Sequence, residues 1–231
     1  MKWLRRAKRG MTGNTGAATG GRGNTGAATG VRDSRVDSNA ATGGRTRPGA
    51  ARRNSVRWAE DKISRFEHVL GSGGCSIADI GAGRGYVSLG LMERGHDVTP
   101  VDVHDNSRIA GVQPVIYDGT RLPFADDSFD FALLLTVLHH TPDPDQVLRE
   151  AIRIAPRLIV MEDTASSALK MRLTWWADSI ANLEFRGHPH TNRSDAAWRA
   201  AFHRLVLRVC EVRTHRVFGF FTQTTYILER A

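Results

Sequence analysis

Cysteine and long apolar runs are both scarce in this sequence, and each shortage excludes a kind of protein. Only two cysteines, Cys75 and Cys210, occur among 231 residues, and neither has a CxxC partner or a histidine at ligand spacing. We therefore expect no structural disulfide, no metal and a reducing compartment, the cytoplasm. No apolar run approaches the roughly 20 residues that a membrane-spanning helix needs. The basic start is not followed by an apolar stretch, so a signal peptide is not predicted.

Large apolar side chains are almost absent from residues 10–50. The segment GNTGAATG at 13–20 recurs at 23–30. Glycine, threonine, asparagine and alanine at this density cannot bury enough surface to offset the entropy of the chain. Residues 1–53 are therefore predicted to form a disordered, basic, low-complexity tail. We interpret it as a low-complexity extension or a start assigned too far upstream; the alternative is an arm that holds RNA or an anionic membrane.

The positive charge of the chain is concentrated in this tail. The net charge is +8, and residues 1–57 carry +11 while the remainder carries −3. Because the remainder is slightly acidic, nothing in it indicates a nucleic-acid surface. Nucleic acid is therefore expected as a partner only through the tail.

Apolar runs alternate with helical patterns from Asn54 onward, which predicts one domain over residues 54–231. Four apolar residues at helical spacing predict a helix that ends near Gly71: Ala59, Ile63, Phe66 and Leu70. Seven apolar strands are predicted, at 75–80, 97–103, 113–117, 129–137, 157–161, 205–214 and 218–228. This alternation predicts an α/β, doubly wound, mostly parallel seven-stranded sheet. The last two strands are expected to be antiparallel neighbours at the sheet edge.

Residues 164–200 interrupt the alternation, and we interpret them as a substrate lid inserted over the strand ends. Trp175 and Trp176 are candidates for the wall of a substrate pocket, although at least one could simply pack the inserted helix onto the domain. His188 and His190 are candidates for substrate contact. No third ligand accompanies these histidines, so a metal is not expected.

A glycine-rich turn follows the first predicted strand, in the sequence DIGAGRG that begins at Asp79. Glycines at such a turn let a ligand approach the backbone where a Cβ would block it. The first amides of the following helix supply hydrogen-bond donors for an anionic group. The spacing is GxGxG followed by Tyr86, not GxGxxG, which argues against a dinucleotide.

Two further acids follow the next two predicted strands. Asp102 ends the second strand, where a carboxylate can accept both hydroxyls of a ribose. Asp118 follows the third strand, where a carboxylate suits the amino group of an adenine ring. Dinucleotide-binding folds have no specific need for this third acid.

Residues 77–163 resemble the class I methyltransferases, whose fold is Rossmann-like, and especially the type 11 branch that includes ubiquinone-biosynthesis-like enzymes. Four strings carry the resemblance in the order and spacing of that family: IADIGAGRGYVSLGL, VTPVDV, VIYDGTRLPFADDSFDFALLLTVLHHTPDPDQVLREAIRI and RLIVMED. A Pro-Gly-Gly turn of the family is shortened here to Ala155-Pro156, remote from the expected cofactor site. The resemblance fades after Asp163.

The resemblance implies S-adenosylmethionine as the cofactor and gives roles to ten residues. Asp79 helps to position the methionine amino group, Asp102 holds the ribose, and Asp118 holds the adenine amine. The full set of implied cofactor-binding residues is Asp79, Gly81, Ala82, Gly83, Gly85, Asp102, Val103, Asp118, Gly119 and Thr136.

His139 and His140, directly after the fourth predicted strand, are the candidate catalytic bases; the alternative is a structural or pocket-lining role. The leading hypothesis is methyl transfer to an oxygen, nitrogen or carbon atom of a small molecule. The first alternative is an RNA or protein methyltransferase recruited by the tail. The second is a partner subunit that binds the cofactor without catalysis.

Overall fold

The computed structural model describes residues 50–164, 193–217 and 221–231, and its centre is one seven-stranded sheet. The strand order is β3-β2-β1-β4-β5-β7-β6. The strands are β1 (Ser76–Ile80), β2 (Asp97–Asp102), β3 (Val115–Ile116), β4 (Phe131–Leu135), β5 (Arg157–Asp163), β6 (Leu207–Val217) and β7 (Phe221–Arg230). The helices are α1 (Ala50–Ser64), α2 (Glu67–Leu70), α3 (Tyr86–Met92), α4 (Pro144–Ile154) and α5 (Asp195–Arg204), with a 3-10 turn at Leu138–His140.

Helices cover both faces of the sheet. The strand β4, with the sequence FALLL, is buried along its whole length, as expected for a central strand of a parallel sheet. One face packs against α1, α2 and α3, and the other packs against α4 and α5. The predicted α/β doubly wound fold is confirmed.

The last two strands form the predicted antiparallel pair. The antiparallel strand β7 lies one place in from the edge, between β5 and β6, because β7 pairs with β5 over seven residue positions. Strand β6 is the edge strand, and it carries an irregularity between Val209 and Glu211. This pairing places residues 221–225 beside the carboxyl end of β5.

The first helical segment differs from its prediction in two ways. The helix begins at Ala50, so residues 50–53, which composition assigned to the tail, are helical. The chain also turns at Arg65 and Phe66, which gives two helices where one was predicted. The four apolar residues behind the prediction are nevertheless all buried: Ala59, Ile63, Phe66 and Leu70.

Local capping chemistry sets the start of α4. The Asp143 carboxylate accepts a hydrogen bond from the backbone N–H of Gln146, and Pro144 is the first helical residue. Across the described residues, no helix is long and apolar enough to cross a membrane.

Candidate functional site

The carboxyl ends of the parallel strands bring the sequence-predicted residues to one edge of the sheet. Asp79 lies in β1 one residue before its end, Asp102 ends β2, and Thr136 follows β4. Asp118 follows β3 by two residues. In a doubly wound sheet, ligands bind outside these strand ends, where the strand order reverses. Strands β2 and β4 flank β1 on opposite sides, so the reversal lies at β1.

Asp79 is a buried carboxylate at the centre of this edge. Its exposed fraction is 3%, and it accepts a 2.6 Å hydrogen bond from the Ser88 hydroxyl of α3. Burial raises the pKa of Asp79 to about 6, although the Ser88 hydrogen bond and the ammonium of Lys62 act in the opposite direction. A bound ammonium group would favour the charged form of this carboxylate.

The glycines of the turn have different reasons to be glycine. A Cβ on Gly81 would lie 2.3 Å from Cγ2 of Val137, so packing within the protein, rather than a cofactor, excludes a side chain there. A Cβ on Gly85 would lie 3.0 Å from Cγ1 of Val112. A Cβ on Gly83 would meet only a carbonyl oxygen at 4.0 Å. Space for a ligand is therefore open at Gly83, while Gly81 and Gly85 hold the turn against its neighbours.

The turn is also attached to β2 through backbone hydrogen bonds. The N–H groups of Gly81 and Ala82 donate to the carbonyl of Val101, at 2.8 and 3.1 Å. The Asp102 carboxylate accepts 2.8 Å and 2.7 Å hydrogen bonds from the N–H groups of Gly83 and Val103. Asp102 also accepts a longer, 3.3 Å hydrogen bond from the N–H of His104. A carboxylate has about four acceptor positions, so Asp102 retains the capacity to accept one hydroxyl group.

Asp118 is an exposed, ionised carboxylate. Its Oδ1 accepts from the hydroxyl and N–H of Thr120 and from the N–H of Arg121, and these hydrogen bonds lower the pKa of Asp118 to about 2. Gly119 lies against the side chain of Val103. Val103 and Ile116 are 41% and 51% exposed. These two apolar side chains next to two carboxylates suit a flat, polar-edged ring.

The turn after β4 is held by Glu162, whose side chain is fully buried at the end of β5. Its Oε1 accepts hydrogen bonds from the N–H groups of Val137 and Leu138, at 3.0 and 2.8 Å. Its Oε2 lies 2.5 Å from Nδ1 of His139. A carboxylate only accepts, so this contact places a proton on Nδ1. Thr136, just before this turn, has a φ of +61°.

The two histidines of the turn are placed differently. His139 is buried, and its ring centroid lies 4.0 Å from that of the half-buried His140. The carboxylate contact singles out His139 as the oriented member of the pair. The candidate lid residues Trp175, Trp176, His188 and His190 lie outside the described residues.

Sequence reasoning missed two charged residues at this edge. The Lys62 ammonium of α1 donates a 2.8 Å hydrogen bond to the hydroxyl of Thr136, 74 positions away in sequence. The sequence places Glu162 directly after the fifth predicted strand, at 157–161, without indicating its partners. The side-chain direction of Glu162 was predictable, because Glu162 continues the alternation of Leu158 and Val160 and so shares one face of β5 with them.

Residues 78–157 match the family profile described as a methyltransferase domain. A demethylmenaquinone methyltransferase of Mycolicibacterium paratuberculosis is 36% identical over 152 residues, which is 59% of this chain and 66% of the relative. The chain belongs to the class I S-adenosylmethionine-dependent methyltransferases. Its branch is the type 11 methyltransferases.

Two other comparisons agree with this family at lower sequence identity. An uncharacterized methyltransferase of Mycobacterium sp. (strain JLS) is 34% identical over 88 residues. That match spans 36% of this chain and about a third, 35%, of the relative. The structure of magnesium protoporphyrin IX methyltransferase from Synechocystis PCC 6803 with bound S-adenosylhomocysteine has a TM-score of 0.57 at 16% identity. It covers 81% of this chain and 90% of that chain.

The described residues of this methyltransferase fit S-adenosylmethionine. The buried Asp79 carboxylate has the charge that an ammonium group requires, and a Cβ at Gly83 would meet only a carbonyl oxygen, at 4.0 Å. Asp102 and Asp118 have acceptor capacity for ribose and adenine, beside the exposed side chain of Val103. The fit rests on the three acids at three strand ends. The glycine turn alone would not distinguish an S-adenosylmethionine site from a dinucleotide site.

Proposed function

We propose that this methyltransferase transfers the methyl group of S-adenosylmethionine to a hydroxyl or amino group of a small molecule, with His139 receiving the acceptor's proton. The observation that carries the cofactor part is the arrangement of Asp79, Asp102 and Asp118 at the ends of β1, β2 and β3. When bound, the cofactor supplies a methyl group already activated by a sulfonium. The protein therefore has to hold, align and desolvate the two reactants.

The proton-acceptor role of His139 is supported by its contact with Glu162. In the tautomer that is protonated on Nδ1, the lone pair of the imidazole that can take a proton lies on Nε2. The negative charge of Glu162 stabilises the imidazolium that forms when the acceptor's proton arrives, as a carboxylate does for the histidine of a catalytic triad. An acceptor that must lose a proton, such as a hydroxyl, gains most from this arrangement.

A small-molecule acceptor is supported by charge and by the relatives. Residues 58–231 carry a net charge of −3, which does not favour a polyanion such as RNA on the folded domain. The names of two similar proteins, a demethylmenaquinone methyltransferase and a magnesium protoporphyrin IX methyltransferase, denote small-molecule acceptors. Their two different acceptors also indicate that the fold does not choose the molecule.

Calorimetry with S-adenosylhomocysteine tests the cofactor site. We expect the intact chain to bind, and we expect Asp102→Ala and Asp118→Ala to weaken binding at least about tenfold, since each removes a charged acceptor. Asp97→Ala is the matched control, because Asp97 is an exposed aspartate at the opposite end of β2. Absence of binding by the intact chain would overturn the proposed function.

Fractionated cell extract tests the acceptor class. The protein is incubated with methyl-labelled S-adenosylmethionine and, separately, with the small-molecule, RNA and protein fractions. We expect label in the small-molecule fraction. Label confined to RNA or to protein would contradict the proposal, and a chain that binds the cofactor but labels no fraction would fit the non-catalytic partner instead.

A further inference from the structure

A lysine from outside the family-matched segment reaches the centre of the cofactor edge. Lys62 lies in the last turn of α1, sixteen residues before the match begins at residue 78. Its half-buried side chain crosses to the end of β4, where its Nζ donates to Oγ1 of Thr136 at 2.8 Å. Thr136 is among the residues that the resemblance places near the methionine half of the cofactor.

The surroundings of Lys62 are acidic, but none of the carboxylates that the structure describes pairs with it directly. The charges of Asp163, Asp79 and Glu162 act on the ammonium from a distance and oppose the effect of burial, which lowers the pKa of Lys62. Within the described residues, the hydrogen bond of Lys62 goes to the Thr136 hydroxyl and not to an acid. A cation and the Asp79 carboxylate therefore face the same edge without neutralising each other by contact.

The next cation in the sequence, Arg65, already has two side-chain partners. The Arg65 guanidinium, in the turn after α1, donates to Gln223 of β7 at 2.5 Å and pairs with Asp61 in the last turn of α1. Gln223 in turn donates to Asp163 at the end of β5. These contacts dock α1 across the strand ends and hold Lys62 in place, while its ammonium retains two further N–H donors beyond the one given to Thr136.

We propose that Lys62 binds the carboxylate of the cofactor's methionine moiety, so that Lys62 and Asp79 together receive an amino-acid zwitterion. The amino-acid end of the cofactor carries one ammonium and one carboxylate, and the site offers one carboxylate and one ammonium separated in space. Such a pairing leaves no buried charge without a partner. The inference rests on the proposed function, and it makes α1 part of the cofactor site although the family match excludes it.

Ligand truncation tests this assignment without needing the acceptor. Calorimetry on the full chain compares S-adenosylhomocysteine with its decarboxylated analogue, which keeps the ammonium and loses the carboxylate. We expect the wild type to prefer S-adenosylhomocysteine by about tenfold to a hundredfold, the value of a charged hydrogen bond. Lys62→Met should lose that preference by weakening only the ligand that has the carboxylate.

Controls separate a ligand contact from a structural role. Arg57→Met removes a cation from the exposed side of the same helix and should leave the preference intact. Lys62→Arg should retain part of it. Lys62→Gln replaces Lys62→Met if thermal melting shows that the methionine variant is not folded.

Two results would overturn the assignment of Lys62 but not the proposed function. In Lys62→Met or Lys62→Gln, the preference for S-adenosylhomocysteine could be unchanged, or the affinity for both ligands could fall equally. Equal loss would show that Lys62 only supports the packing of α1. Failure of the wild type to bind S-adenosylhomocysteine would instead overturn the proposed function, and the assignment with it.

Discussion

Asp79 is a buried carboxyl group whose ionisation should lower the stability of the ligand-free protein. Its carboxyl group has no direct cationic partner among the described residues, and burial raises its pKa to about 6 from an ordinary value near 3.8. Between those two values the folded chain holds the proton more tightly than the unfolded chain does. The contribution of Asp79 to stability is therefore present below pH 4 and is lost as pH rises through 6.

Asp79→Asn should consequently stabilise the ligand-free protein above pH 6, by at most about 3 kcal/mol. The gain should shrink as pH falls through 6 and vanish well below pH 4, where both states of the wild type are protonated. The same variant should lose affinity for S-adenosylhomocysteine, because a neutral amide cannot neutralise the ligand's ammonium. Denaturant melts at several pH values and calorimetry measure the two effects. An equal stability difference at pH 4 and pH 8 would contradict the pKa argument.

Gly81 and Gly83 should separate folding from binding. Both have positive φ, of +78° and +55°, so alanine is strained at either position. Gly81→Ala also forces a Cβ to 2.3 Å from Val137, and we expect a total loss of about 2–4 kcal/mol. Gly83→Ala adds no clash, and we expect about 1–2 kcal/mol from strain alone.

The order should be reversed for ligand affinity. Gly83→Ala should weaken the binding of S-adenosylhomocysteine more than Gly81→Ala does, because the added methyl group at position 83 enters the open space. Thermal melting and calorimetry on both variants provide the comparison. If the two variants lost the same stability, a clash between a Cβ at position 81 and Val137 would not explain why position 81 is glycine.

At the scale of elements, the end of β5 controls the turn after β4. Glu162→Gln keeps one carbonyl oxygen that can still accept from the N–H groups of Val137 and Leu138. Its amide nitrogen, however, would face Nδ1 of His139 and favour the tautomer protonated on Nε2. That tautomer cannot accept a proton from the acceptor through Nε2, as in an aspartate-to-asparagine change in a catalytic triad.

We therefore expect Glu162→Gln to lower kcat at least about a hundredfold, while the affinity for S-adenosylhomocysteine changes little. The rate is measured with the acceptor that the extract fractions identify. Glu150→Gln is the matched control, because Glu150 also accepts a backbone N–H, from Leu122, but contacts no residue of the turn. A normal kcat in Glu162→Gln would remove His139 from the proposed proton transfer.

Sequence patterns predicted elements wherever local chemistry decides them. The cap at Asp143 and Pro144 marks the start of α4, and the apolar run predicted as a strand at 129–137 contains the central strand β4, which spans Phe131–Leu135. Strand β3 was predicted as five residues and has two, because only Val115 and Ile116 pair with β2. The number of paired residues depends on the neighbouring strand, which local patterns do not contain.

The candidate site was predictable to the same extent. The three acids and the glycine turn lie directly after strands, so their positions follow from the alternation of elements. The contact of Lys62 with Thr136 joins residues 74 positions apart, and no periodicity encodes it. The sequence shows Glu162 only as an acid near the end of a strand. The pairing of β4 with β5 is what brings it to the turn after β4.

At the scale of the whole molecule, the charge of the chain is divided between its two parts. Residues 1–57 carry +11, and the remaining residues carry −3. The described domain starts with the helix at Ala50, and the site residues nearest the amino terminus, Lys62 and Asp79, follow it. Every site residue named above therefore lies after Ala50 in the sequence.

Deletion of residues 1–49 should leave the melting temperature and the affinity for S-adenosylhomocysteine unchanged, since α1 and all three strand-end acids remain. If the tail serves as an arm for RNA, the full chain should bind RNA with an affinity that falls steeply as salt rises, because phosphate contacts release counterions. The truncated chain, with its acidic domain, should then bind RNA weakly at any salt concentration. A large fall in cofactor affinity on truncation would show instead that the tail supports α1, and RNA binding that survives truncation would place the contact on the domain.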